Sequence, residues 1–180
     1  MPKIISKKII TIFGTARAKP GDSIFTLAME TGRLLAQASF TIANGGYGGT
    51  MLAAAKGAAE AGGEIIGVTC SAFKSGKANE YVTREIVTDS LDERLDTLVK
   101  LGQAYIVLPG GTGTLLELAK VWELKNKGFL NVDKPVILLG GFWKPLIELI
   151  ATEDADSSRF VKLADEPKQV VEMVIKSLEI

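Results

Sequence analysis

The stretch Leu108–Glu117, LPGGTGTLLE, sets Gly110, Gly111, Thr112, Gly113 and Thr114 directly after the apolar run Ala104–Val107, then follows them with one carboxylate, Glu117. Glycines let a backbone approach a ligand closely and adopt dihedrals closed to other residues. Where such a run opens a helix, free N–H groups and the positive dipole end favour an anion, and the Thr112 and Thr114 hydroxyls add donors. This combination reads as a phosphate cradle, against the plainer alternative of a tight strand-to-helix turn. It lacks the lysine of a P-loop and is not a Walker motif. Glu117 lies one turn into the expected helix, among Leu115, Leu116, Leu118 and Ala119. Local spacing favours an i,i+3 ion pair with Lys120 over a chemical role.

Two further loops have the same character. Asn44–Thr50 (NGGYGGT) carries Gly45, Gly46, Gly48 and Gly49 and leads into Met51, and Gly14-Thr15-Ala16-Arg17 follows the first apolar run. Neither is a G-x-G-x-x-G fingerprint with a ribose-binding acid in the right context, so a dinucleotide site is a weak reading. Loops of this kind converging on one edge suit one phosphorylated ligand, or one nucleotide held at both ends. Arg94 sits in Asp92-Glu93-Arg94, and its charged neighbours favour a solvated helix face. Phe142 and Trp143 either cover a base or pack in the core. Cys70 reads as a small apolar residue.

These loops need elements to position them. Strands are expected at Ile9–Phe13, Thr41–Ala43, Glu64–Thr69, Tyr81–Val87, Ala104–Leu108 and Pro135–Leu139, from short β-branched or apolar runs. Helices are expected from Pro20 for about 18 residues with Asp22 as N-cap. Others are expected over Thr50–Ala61, Ser90–Leu101 with Ser90 and Glu93 as a capping box, Thr114–Lys127, Trp143–Ala151 and Glu166–Leu178. Ser71–Glu80 is polar and reads as a mobile loop. Strand–helix alternation with near-continuous apolar strands implies an α/β fold, a Rossmann-like parallel sheet with helices on both faces. In such sheets ligands sit beyond the carboxyl ends of the strands, where strand order reverses, and every glycine cluster falls at such an end.

Composition narrows the chemistry. The chain has 180 residues, 47% of them hydrophobic, which suits one domain over 1–180. Lys+Arg and Asp+Glu number 21 each, so there is no basic excess to suggest nucleic acid. Histidine is absent, which excludes Ser-His-Asp and Cys-His catalysis and His-ligated metals. The single cysteine rules out an internal disulfide and a cysteine metal cluster. No metal and no cofactor is expected. The basic start, MPKIISKKII, has too short an apolar run for a signal peptide, and no stretch approaches a membrane span of about 18 apolar residues. A cytoplasmic protein is expected.

The motifs also resemble those of a known family. PGGTGTLLE at 109–117 matches the PGGxGTxxE signature of the LOG (Lonely Guy) family, many of whose members carry the label "possible lysine decarboxylase". NGGYGGTMLAAAKGA at 44–58, GGEIIGV at 62–68, SLDERLDTL at 90–98 and KPVILLGGFWKPL at 134–146 are similar to its other motifs, in the same order. The resemblance implies a Rossmann-like homodimer that hydrolyses nucleoside 5′-monophosphates, AMP or N6-substituted AMP, to free base and ribose 5-phosphate. It implies that Gly110–Thr114 bind the phosphate, that Arg94 and Glu117 are the catalytic pair, and that Gly45, Gly46, Gly48, Gly49 and Met51 shape the nucleotide pocket. Gly14 and Thr15 join them from the first loop. The family's D-M-H-E-R-K helix reads Ser90-Leu91-Asp92-Glu93-Arg94-Leu95 here, without the histidine and the lysine, and Leu52 follows Met51 where Gly or Glu is usual. A nucleotide- or molybdenum-cofactor-binding carrier of the same fold, without turnover, remains the alternative. A pyridoxal-phosphate lysine decarboxylase is not expected, because no lysine sits in a recognisable cofactor setting.

Overall fold

The computed structural model describes residues 7–74 and 76–178. The N-terminal residues 1–6, most of the segment judged too short for a signal peptide, lie outside the described residues. Seven short runs pair as parallel strands: β1 Ile9–Phe13, β2 Thr41–Asn44, β3 Ile65–Cys70, β4 Arg84–Thr88, β5 Ala104–Val107, β6 Val136–Leu139 and β7 Val161–Ala164. They form one sheet in the order β4-β3-β2-β1-β5-β6-β7. The helices are α1 Ser23–Gln37, α2 Thr50–Glu60, α3 Leu91–Leu101, α4 Thr112–Asn126, α5 Lys144–Ala151 and α6 Pro167–Ser177.

Strand side chains alternate between two cores. Ile10, Ile42 and Ile106 pack with Leu35 of α1, Ala54 of α2 and Val170 of α6. Phe13, Ala43, Tyr105 and Val107 face the other way, against Leu98 of α3, Leu118 and Trp122 of α4, and the half-buried Leu146 of α5. Both faces are covered, which is why the central strands are apolar throughout. Strand order reverses between β1 and β5. From β1 the chain leaves to α1 on one face, and from β5 to α4 on the other. A crevice therefore opens beyond Phe13 and Val107, as the topology requires.

Several local expectations shift. Helix α4 begins at Thr112, two residues before the expected start, so the second half of the glycine stretch is its first turn. Helix α1 has 15 residues, and Asp22 makes no side-chain cap; its Oδ2 accepts the Lys19 N–H at 2.8 Å instead. Ser90 does cap α3, accepting the Glu93 N–H at 3.1 Å, while the Glu93 carboxylate reaches the Asp89 N–H at 2.8 Å, one residue beyond the standard box. Strand β4 starts at Arg84 rather than Tyr81. Strand β7 and the 3-10 turn at Ala155–Phe160 before it were not expected from the sequence. No helix among the described residues is long and apolar enough to cross a membrane.

Candidate active site

The three loops meet at the switch point and enclose a cleft of about 870 Å³. Its walls include Gly14, Thr15 and Arg17 after β1, Tyr47 and Met51 around the α2 start, Phe73 after β3, Arg94 and Leu95 of α3, and Gly111–Thr114 with Leu116 and Glu117 of α4. The α4 start contributes Gly111, Thr112, Gly113, Thr114 and Glu117, and the apolar lining comes from Met51, Phe73, Leu91, Leu95 and Leu116.

Each loop is held by specific groups. Trp143 donates its indole N–H to Leu108 O at 3.1 Å, fixing the start of the glycine stretch. Gly111 is the α4 N-cap, so the backbone N–H groups of the first turn have no carbonyl within the helix to receive them. A Cβ at Gly110 would collide with the Thr114 side chain, so Gly110 lets Thr114, which lines the cleft, lie close against the loop. The second loop is braced by Asn44, a fully buried side chain that donates to Met51 O at 3.0 Å and accepts the Gly46 N–H at 2.8 Å. Thr50 donates both its N–H (2.8 Å) and its hydroxyl (3.0 Å) to Thr15 O, which ties the second loop to the first.

Arg94 and Glu117 come together here. Arg94 is only 7% exposed and donates from Nε to Val68 O at 2.8 Å. Its Nη1 lies 3.8 Å from Glu117 Oε1, an ion pair longer than a hydrogen bond. This corrects the solvated-face reading of Arg94: α3 buries Arg94, Leu95, Leu98 and Val99, one stripe, and leaves Asp92 and Glu93 outside. It also corrects the Glu117–Lys120 pair. Lys120 reaches Asp96 at 3.2 Å on the solvent side, while Glu117 turns into the cleft. The Glu117 side chain is 15% exposed. Burial pushes its carboxyl up to about 7, with the Arg94 charge pulling the other way.

Of the residues singled out from the sequence, Gly14, Thr15, Met51, Arg94, Gly111, Thr112, Gly113, Thr114 and Glu117 line the cleft. Gly45, Gly46, Gly48, Gly49 and Gly110 frame it without lining it. Gly45 has a definite reason to be glycine, since a Cβ there would fall inside the Arg94 guanidinium. Phe142 is 55% exposed and outside the cleft, and Trp143 is a core residue, so neither covers a ligand. Sequence reasoning did not assign Tyr47, Phe73, Leu91, Leu95 or Leu116 to the site. Tyr47 had one available signal, as the lone side chain of size between Gly46 and Gly48. Among the described residues, no cluster of three acidic or cysteine side chains is placed to hold a metal, and no lysine lines the cleft.

Comparison with known proteins shows the family and the fold. Residues 51–174 match the family model described as "Possible lysine decarboxylase". A cytokinin riboside 5′-monophosphate phosphoribohydrolase of Rhodococcoides fascians is 30% identical over 169 residues, covering 91% of this chain and 83% of that one. The molybdenum cofactor binding protein of Rippkaea orientalis superposes with a TM-score of 0.79 at 30% identity, over 98% of this chain and 99% of that one. The Moco carrier protein of Chlamydomonas reinhardtii does so at 0.78 and 27% identity, over 97% and 99%. With the signature loop at the switch point and the family model matched across most of the sheet, the chain belongs to the LOG family, the one described as possible lysine decarboxylase.

Proposed function

We propose that the chain hydrolyses the N-glycosidic bond of a nucleoside 5′-monophosphate, AMP or an N6-substituted AMP, to the free base and ribose 5-phosphate. The observation that carries this reading is the placement of Glu117, facing Arg94, on the same helix whose N-terminus forms the glycine cradle. Glu117 lies five residues beyond Thr112, about 7.5 Å along the helix axis. That is roughly the span from a 5′-phosphate to the anomeric carbon of a nucleotide. The phosphate sits on the first-turn N–H groups of α4 with the Thr112 and Thr114 hydroxyls. As the C1′–N bond breaks, its electron pair leaves on the base, and neutral Glu117 gives that nitrogen a proton. The carboxylate so formed faces the oxocarbenium-like sugar and takes a proton from the water that attacks C1′, which restores the acid. Arg94 holds the ligand and steadies the carboxylate while it is charged. No histidine is needed.

A second reading, a carrier that holds a nucleotide or the molybdenum cofactor without turnover, is favoured by the two solved carriers and by Leu95. An apolar side chain in the cleft wall stands where the family pattern has a lysine after the arginine. A pyridoxal-phosphate decarboxylase has less support, since a Schiff base needs a lysine in the cleft. The test is a release assay with AMP, GMP, CMP, UMP and N6-isopentenyl AMP, following free base by chromatography. Release from any of them removes the carrier as the main function; binding without release across the panel removes the hydrolase. The reading also carries a homodimer. A mass of 19.2 kDa by light scattering throughout a dilution series would remove that part.

A further inference from the structure

Arg94 must hold one orientation to serve this site, yet a guanidinium on a long stem has many rotamers. Four neighbours fix it. Val68 O takes the Nε–H at 2.8 Å. Gly45 leaves room directly against the guanidinium. The Cζ then lies 5.6 Å from the centroid of the Tyr47 ring and 5.6 Å from that of Phe73. The two rings are 6.1 Å apart and tilted by 41°, so they form a corner into which the cation fits.

That corner is itself built. The Tyr47 hydroxyl accepts the Cys70 N–H at 2.8 Å and faces Cys70 O at 3.3 Å. Phe73 N–H donates to the same Cys70 carbonyl at 3.1 Å. Asn79 donates from Nδ2 to Gly46 O (3.1 Å) and Tyr47 O (2.9 Å), and from its N–H to Gly46 O at 2.7 Å. Both rings therefore hang from the carboxyl end of β3, and the loop expected to be mobile is stapled to the second glycine loop at Asn79. The choice of aromatic partners has a chemical consequence. A second acidic neighbour beside Glu117 would fix Arg94 but neutralise it, and would repel an anionic ligand. A ring face attracts the cation through its quadrupole and leaves the positive charge free to act.

We infer that Tyr47 and Phe73 are positioning residues: their ring faces hold the Arg94 guanidinium at the orientation in which it meets Glu117 and the ligand. The kinetic part rests on the hydrolase reading; the structural part does not. The test uses Tyr47→Leu, Phe73→Leu and Tyr47→Phe in the full chain, measured in two ways. The first is base release, with kcat and KM separated. The second, without nucleotide, is the rate at which phenylglyoxal modifies Arg94, read by peptide mass spectrometry against the exposed Arg17. In the parent, the buried Arg94 is expected to react far more slowly than Arg17. Both leucine variants are expected to expose Arg94 to the reagent and to lower kcat by roughly 10- to 100-fold, the usual effect of a misplaced catalytic group, with KM moved much less. Tyr47→Phe keeps the ring and should restore most of what Tyr47→Leu loses. Phe73 is 36% exposed, so Phe73→Leu keeps the test alive if Tyr47→Leu does not fold. Unchanged Arg94 labelling in Phe73→Leu overturns the inference, as does a Tyr47→Phe as damaged as Tyr47→Leu, which would assign the effect to the hydroxyl's hold on Cys70. If the parent releases no base, the hydrolase reading fails by itself and the labelling still decides the role of the rings.

Discussion

The two glycine loops, Asn44–Thr50 and Gly110–Thr114, are alike in composition and both follow a parallel strand, yet apart from Gly48, which is open, and Gly110, which is packed against Thr114, their glycines have opposite causes. In the first, neighbours forbid a side chain. A Cβ at Gly45 would enter the Arg94 guanidinium, and one at Gly49 would strike the Thr15 carbonyl; Gly46 and Gly49 also hold φ of 76° and 67°. The first N–H of its helix, Thr50, is already given to Thr15 O. In the second, a Cβ at Gly111 or Gly113 would meet nothing within 4 Å, and Gly111, Thr112, Gly113 and Thr114 line the cleft. One loop is glycine-rich so that protein can pack against it. The other is glycine-rich so that its surface stays bare. Glycine content alone marks both, and only the second has the properties of a ligand floor.

The sharpest way to test that difference is at the acid carried by the open loop's helix. Glu117→Gln keeps shape and removes the charge and the acidic proton. Turnover is expected to fall by roughly 10²- to 10⁴-fold, while nucleotide affinity, carried by the backbone of the cradle, stays near the parent's. Calorimetric binding together with base release reads both. Full turnover in this variant would end the catalytic assignment, and loss of binding along with turnover would make Glu117 a ligand contact.

The same carboxyl gives a stability signature with a definite sign. Its value in the fold, about 7, lies above the ordinary 4.5. Folding therefore favours the neutral form. The stability is fully present below about pH 4.5, where both states are protonated, and is lost as pH rises through about 7. The difference amounts to roughly 3 kcal/mol. Denaturant melts from pH 4 to 8 should show this decline in the parent and not in Glu117→Gln, other titrating groups being common to both. Parallel curves would mean that the carboxyl is hydrated and the cleft wetter than its geometry implies.

Much of this was readable from the residues. Strand runs ending in glycine clusters gave the sheet, and the N–H-rich cradle needed only local chemistry. What sequence alone could not supply was pairing across the fold. Glu117 had Lys120 three residues away and Arg94 twenty-three residues away, and local rules see only the first. Arg94 was misplaced because Asp92 and Glu93 flank it, although Leu91, Leu95 and Leu98 mark a stripe that includes position 94. Strand β7 escaped notice because it is four residues long and its middle pair, Lys162 and Leu163, is exposed, so neither alternation nor a continuous apolar run marks it. The Tyr47–Phe73 corner depends on two loops meeting, which no spacing within either loop encodes.

The packed loop should be intolerant of bulk. Gly45→Ala puts a methyl where the Arg94 guanidinium lies, an overpacking expected to cost about 1–3 kcal/mol, and it should also lower turnover by displacing Arg94 from Val68 O and Glu117. Chemical denaturation and base release measure the two effects. An alanine variant matching the parent in both would show slack around Arg94 and weaken the contrast between the loops.

The smallest expected effect, Gly113→Ala, is the complementary test. Gly113 is the second residue of α4, its built Cβ has no neighbour within 4 Å, and its φ is not in the left-handed region. Alanine loses less backbone entropy than glycine on entering a helix, so the free protein should be unchanged or more stable, by a few tenths up to about 1 kcal/mol. A ligand would experience the change differently. The methyl projects into the space the cradle leaves open, close to the N–H groups a phosphate must approach, so affinity for AMP should fall even as the melting temperature holds or rises. Opposite signs for stability and binding are the mark of a surface kept bare for a ligand. A loss of stability comparable to that of Gly45→Ala would place both loops in the packed class. Unchanged AMP affinity with unchanged stability would move the phosphate away from the α4 N-terminus and take the cradle out of the proposed mechanism.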